Sequence, residues 1–185
     1  STDSKKIATL SIKYGAECWF LRRKKLSTDK ISKILVIRDL LEKSEIKFKK
    51  KFEIIFDLDV TSPLRSINDI KKAYKKFINT KASLLFSVNK SRKNPYFNMI
   101  EKKENSYSAV INKGIITCRQ NSPKVYDMNA SIYIWKRNTL IKENSLFIKN
   151  NAIYEMPEER SFDIDSILDF NLVNFLLSQK NAIKK

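Results

Sequence analysis

Two aspartates with one residue between them stand in Ser161-Phe162-Asp163-Ile164-Asp165-Ser166-Ile167-Leu168-Asp169. In an extended segment alternate side chains share a side, so Asp163 and Asp165 project together with Ile164 opposed. Two carboxylates need this arrangement to share one hard cation. A Mg²⁺ held by one or two carboxylates, with nucleotide phosphates completing its shell, is the ordinary device of nucleotidyl transfer. The same residues also suit a plainer role, with Asp165 capping the last helix and Asp163 solvated. A second constellation is Asp57-Leu58-Asp59-Val60-Thr61-Ser62-Pro63-Leu64-Arg65, where an arginine that can engage an anion follows a predicted strand. Read alone, it is equally a turn with a helix cap. The third is Cys118-Arg119-Gln120, followed by Asn129-Ala130-Ser131-Ile132-Tyr133. It offers a guanidinium for a carboxylate and polar groups at a strand start, although a loop arginine is usually just solvated.

Absences narrow the chemistry further. The 185 residues include no histidine, which removes the Ser-His-Asp triad, Cys-His pairs and HExxH metal sites. With only Gly15 and Gly114, the chain holds neither a GxGxxG fingerprint nor a Walker-type loop. Cys18 and Cys118 are far apart in sequence and belong to no CxxC pair, so both read as small buried hydrophobes. The net charge of +17 invites a nucleic-acid reading. Most of the basic residues are lysines scattered over predicted helix faces, with no arginine-rich stripe or RNP-like strand, so a nucleic-acid partner is not expected. No run approaches the roughly 18 apolar residues of a membrane span, and no signal-peptide core follows Ser1. A cytoplasmic protein without a membrane partner is therefore expected.

The elements that must position these residues follow from periodicity. With 42% hydrophobic residues, the chain can fold as one domain spanning 1–185. A helix capped within Ser1 to Asp3 carries Ile7, Leu10 and Tyr14 and stops at Gly15. Ala16 to Leu21 is a short apolar run. Ser27 is expected to cap a second helix with Ile31, Ile34, Leu35, Leu40 and Leu41 at helical spacing. Glu53 to Leu58 reads as a central strand covered on both faces. Ser66 caps a helix with Ile67, Ile70, Ala73, Tyr74 and Phe77, and Ala82 to Val88 is the next strand. Alternating helix and strand argue for an α/β, Rossmann-like, mostly parallel sheet with helices on both faces. Further strands are expected at 107–111, 114–117, 129–135 and 152–154, with a short helix at 137–142. The last helix, 166–178, should bury Ile167, Leu168, Phe170, Leu172, Val173, Phe175 and Leu176.

Together these segments resemble the acylneuraminate cytidylyltransferase family, the synthetases of CMP-activated sialic and related nonulosonic acids. Ser1-Thr2-Asp3-Ser4 is similar to that family's STD segment, Thr61 to Arg65 to its TSPLR, Asn129 to Tyr133 to its NxxIY strand, and Ser161 to Asp169 to its SxDIDxxLD metal motif. The resemblance implies a nucleotide-diphospho-sugar-transferase-like fold, a Mg²⁺ on Asp163 and Asp165, and transfer of CMP from CTP to a sugar acid with loss of pyrophosphate. It implies that Arg119, in the RQ pair with Gln120, grips the sugar acid carboxylate, with Asn129 and Tyr133 nearby. Asp59, Thr61 and Ser62 fall at the sugar site and Arg22 near the nucleotide. Phe147 falls on the dimerisation arm of a homodimer, within an insertion at about 90–150.

Asp59-Val60 stand where well-known sialic acid enzymes read QP, a carboxylate in place of a neutral amide. The sugar substituents recognised are therefore expected to differ, as in legionaminic-type acids. The family's first strand and its basic, Gly-containing nucleotide loop have no counterpart and are expected before Ser1. Their absence would leave the 185 residues alone a poor enzyme, or a remnant that dimerises or binds a partner without catalysis.

Overall fold

The computed structural model describes residues 1–112, 114, 116 and 118–183, the side chains of 180–183 excepted. The strand expected at 114–117 falls on Ile115 and Thr117 and so lies outside the described residues. The chain divides into two compact units, one of residues 1–57 and 135–149, the other of 58–134 and 150 onward. The strands follow the order β1 (Ile54–Leu58), β5 (Tyr126–Lys136), β2 (Leu84–Lys90), β6 (Asn151–Glu155), with a separate hairpin of β3 (Ile100–Lys103) and β4 (Ser106–Ala109).

In the first unit, α1 (Lys5–Lys13) starts at Ser4, whose Oγ accepts from Ile7 N at 3.3 Å. Its chain turns away at Gly15, where φ is +88° and a side chain would be strained. Ala16 to Leu21 forms no regular strand, only a parallel bridge between Thr2 and Leu21. Ser27 does not cap the second helix. It closes a short 3₁₀ turn at Lys24–Leu26, and its hydroxyl donates to Arg23 O. The helix α2 (Lys33–Phe48) begins after Ser32. It packs on α4 (Arg137–Lys142), where Arg38 Nε donates to Leu140 O at 2.5 Å and Arg38 Nη2 to Glu143 O, satisfying carbonyls that the short helix leaves open. Glu45 accepts from Arg137 Nε at 2.6 Å and Nη2 at 2.8 Å. The Arg137 guanidinium beside it lowers the Glu45 carboxyl to about 2.

In the second unit, α3 (Ile67–Thr80) opens on a capping box of Ser66 and Asp69 and buries Ala73 and Phe77. It packs on β2 (Leu84–Lys90) and β6 (Asn151–Glu155), which pair in parallel from Leu84 with Asn151 to Val88 with Glu155. Leu84, Leu85, Phe86 and Val88 are buried, so β2 is the strand covered on both faces. The core continues through Leu64, Ile132, Ile134 and Met156, each contributing roughly 1.5–3 kcal/mol by leaving water.

The sheet is mixed, mostly parallel in strand direction: β1, β2 and β6 run one way and β5 runs against them. At opposite ends of β1 (Ile54–Leu58), Arg137 N donates to Glu53 O and Asp59 N to Ser131 O, so β5 (Tyr126–Lys136) is antiparallel to it. Ser91 N donates to Val125 O while Ser87 meets Asn129, so β5 also runs against β2. Helix–strand alternation could not reveal this, because β5 enters between β1 and β2 from much later in the chain. Among the described residues β1 is an edge strand and not a central one, and Phe56 is 40% exposed. The hairpin of β3 (Ile100–Lys103) and β4 (Ser106–Ala109) fills part of the middle region.

The last helix, α5 (Ile167–Ile183), corrects another expectation. Of the residues meant to be buried, Val173 is buried and Leu176 half-buried, whereas Ile167 is 81% and Leu168 76% exposed. Apolar residues surround this helix, and only one stripe can face the rest of its unit. Cys18 and Cys118 are half-buried, not fully buried. No helix among the described residues is long and apolar enough to cross a membrane.

Candidate active site

The chain reversals after β1, β2 and β6 all leave the carboxyl edge of the sheet, where open α/β sheets bind ligands. They deliver the loop Asp59 to Arg65, the segment from Ser91 onward, and the segment from Met156 to Asp165. Ile164 N donates to Thr61 O at 2.9 Å, so the paired-aspartate segment lies against the Thr61 loop. Asp163 and Asp165 line a cavity of about 580 Å³ together with Asn89, Arg92, Asn129 and Ser161. The cap of α5 is made by Ser166 and Asp169: Asp169 Oδ2 accepts from Ser166 N at 2.8 Å and from Asp165 N at 3.2 Å. Asp165 contributes its backbone to that cap and not its carboxylate, and among the described residues Asp163 Oδ1 accepts only locally, from Ile164 N at 3.1 Å. The helix-cap reading of Asp165 is thereby excluded.

No group of three or more His, Cys, Asp or Glu among the described residues closes around a cation. Two carboxylates in an open cleft suit an ion that completes its shell with substrate oxygens, which is how Mg²⁺ is usually held. The donor set therefore fits the expected metal.

Arg119 and Gln120 line a different cavity of about 470 Å³, with Lys90, Lys124 and Tyr126. Ser91 and Arg92 line both cavities, and Arg119 Nη2 donates to Arg92 O at 3.4 Å. Asn129 is absent from the lining of the Arg119 cavity, and Tyr133, half-buried, lines neither. Asn129 is itself buried: Oδ1 accepts from Ser87 Oγ at 2.6 Å and Nδ2 donates to Ser161 Oγ at 3.1 Å. The chain kinks beside it at Ala130, where φ is +47°, and Ile132 N then reaches Ser87 Oγ at 2.8 Å.

Arg65 braces the loop that carries it. Its Nη1 donates to the carbonyls of Asp59 at 2.6 Å, Ser62 at 2.9 Å and Ser131 at 3.2 Å, tying the loop to β5. Asp59 Oδ1 accepts from Thr61 Oγ1 at 3.4 Å, and Ser62 is fully buried with its hydroxyl unpaired. In the other unit, Arg22 donates to Ser27 Oγ at 3.1 Å and Asp3 Oδ1 at 3.4 Å, and Phe147 is 75% exposed.

Sequence reasoning missed Asp69 and Arg160. Asp69, 1% exposed, accepts from Ser66 N at 2.8 Å, Arg160 Nε at 2.8 Å, Arg160 Nη2 at 2.9 Å and Tyr154 OH at 3.2 Å. The Ser66-x-x-Asp69 spacing signals a capping box, but nothing local marks Arg160 as its partner. Burial alone pushes the Asp69 carboxyl up, but hydrogen bonds from Arg160 and Ser66 outweigh it and hold the group well below the usual carboxylate range. A group depressed in the folded state contributes stability above its unfolded value, near 3.9, and loses it as pH falls further. The urea midpoint should therefore decline progressively below about pH 4. Asp69→Asn should flatten that decline, and an unchanged acid slope in the variant would refute the assignment.

No protein-family model matches the chain. Among curated proteins, it is 48% identical to a CMP-N,N'-diacetyllegionaminic acid synthase of Campylobacter jejuni, over all of this chain and 78% of the relative. It is 45% identical, over the same shares, to the "Post-translational flagellin modification protein B" of Campylobacter coli. A pseudaminic acid cytidylyltransferase of C. jejuni is 25% identical over 95% of this chain and 75% of its own length.

Proposed function

The chain belongs to the family of cytidylyltransferases that act on nonulosonic acids, and from that premise we propose that it transfers CMP from CTP to a legionaminic-type acid. The observation that carries the choice of sugar acid is the 48% identity to the legionaminic acid synthase, against 25% to the pseudaminic acid enzyme. Asp59, a carboxylate where sialic acid enzymes present an amide, supports the same choice.

In this reading the oxygen of the sugar's anomeric hydroxyl bonds to the α-phosphorus of CTP. The bond to the bridging oxygen breaks, its electron pair leaves with pyrophosphate, and the hydroxyl proton passes to water. Asp163 and Asp165 would hold a Mg²⁺, which when bound supplies positive charge against the phosphate oxygens. Arg119 and Gln120, in the neighbouring cavity, bind the sugar acid carboxylate, and Arg92 stands where the two cavities meet. Asp59 and Thr61 face the sugar substituents, while Ser62, Asn129 and Tyr133 shape the wall behind them. Arg22 serves the nucleotide, and Phe147 lies on an arm, within 90–150, that covers the sugar site of a second copy in a cytoplasmic homodimer.

The test is pyrophosphate release from CTP with a panel of sugar acids, using the protein as its gene encodes it. A preference for N,N'-diacetyllegionaminic acid over sialic and pseudaminic acids is expected, and preference for either of the others would overturn the substrate assignment. Arg119→Ala should raise KM for the sugar acid about 10- to 100-fold, the loss of a charge-assisted pair worth roughly 1.5–3 kcal/mol, and leave KM for CTP in place. A shift in the CTP constant instead would reassign the arginine.

A further inference from the structure

The residues joining the Thr61 loop to the paired aspartates form a clamp that helix capping does not require. A capping box needs only Ser66 and Asp69. Here the Asp69 carboxylate also takes a two-pronged grip from Arg160, the residue immediately before Ser161. Ser161 is fixed in turn, its Oγ donating to Pro157 O at 2.8 Å and accepting from Asn129. Three residues on, Ile164 N is held by Thr61 O. The segment 160–164 is thus pinned at both ends to residues 61–69, and Asp163 lies between the pins. Burying an ion pair seldom adds net stability over a well-packed apolar pair, so its effect here is better sought in geometry.

Resting on the metal reading above, we propose that Asp69 and Arg160 are positioning residues: the ion pair of buried Asp69 with half-buried Arg160 sets the aim of Asp163 and Asp165 and so tunes the cation affinity of a site neither residue touches. Partners that orient metal ligands from behind commonly change affinity by about 10- to 100-fold when removed. The pair also links the metal segment to the substrate loop, since Ser66, the cap of α3, directly follows Arg65.

The experiment measures Mn²⁺ binding by electron paramagnetic resonance, in the presence of CTP, to the protein as its gene encodes it. Asp69→Asn removes the charge that holds Arg160. Arg160→Lys keeps the charge but loses the planar fork, so it is the milder variant if the first does not fold. Mn²⁺ affinity should fall about 10-fold or more in Asp69→Asn and by less in Arg160→Lys. The Mg²⁺ concentration for half-maximal pyrophosphate release should rise in step, with turnover largely recovered at saturating Mg²⁺. A merely structural role would lower the melting temperature and the active fraction but leave the affinity of the folded protein unchanged. Unchanged affinity in whichever of the two variants folds overturns the proposal. Asp163→Asn separates the two readings: if it abolishes Mn²⁺ binding while the clamp variants bind normally, the metal site stands and the clamp does not. If Asp163→Asn binds Mn²⁺ like the wild type, the metal reading itself falls.

Discussion

Asp163→Asn and Asp165→Asn should each lower turnover by about three orders of magnitude, with little change in melting temperature. The size follows from the several kcal/mol of charge stabilisation a bound divalent ion supplies, at 1.36 kcal/mol for each tenfold in rate. The intact fold follows from the contacts: among the described residues the Asp163 carboxylate accepts a hydrogen bond from the adjacent Ile164 N alone, and the Asp165 carboxylate is outside the α5 cap. Asparagine keeps the shape and removes the charge, so a fall in turnover reports on the cation and not on packing. Pyrophosphate release within a few-fold of wild type in both variants would refute the metal assignment.

Arg65→Ala should destabilise the protein by about 3 kcal/mol, read as a fall in the urea midpoint. Its guanidinium serves the carbonyls of Asp59, Ser62 and Ser131, and truncation leaves acceptors unsatisfied beside the buried Ser62 and Ser131. Bonds to a charged donor are worth roughly 1.5–3 kcal/mol each, and water can reach part of the vacated space, so the sum is smaller than three separate losses. Against a typical total of about 5–15 kcal/mol, this is a large fraction. Arg65→Lys should recover only part, because its ammonium stops one atom short of the position Nη1 occupies. A midpoint unchanged in Arg65→Ala would mean that the loop is held by other bonds.

That arginine shows how far the sequence could be read. A guanidinium after a strand end looks the same in sequence whether it faces a ligand or three carbonyls. The carbonyl of Ser131 lies 66 residues away along the chain, and folding alone brings it near. Arg160 is a similar case, 91 residues from Asp69. By contrast, the Ser66 cap, the helix at Arg137–Lys142 and the buried run of β2 were legible, because capping, turn chemistry and apolar runs act over a few residues.

The sequence by itself determined most of the helices and strands, the α/β class, the exclusion of histidine-based chemistry and the alternate spacing of Asp163 and Asp165, all consequences of residue type and short-range spacing. Only the tertiary structure decided the insertion of β5 between β1 and β2, the edge position of β1, the exposure of most of α5 and the placing of Arg119 and Asp163 in adjoining cavities. Each of these depends on which distant segments pair, and chain neighbours cannot encode that, because the same apolar run satisfies an edge, a centre or an exposed stripe until its partners arrive.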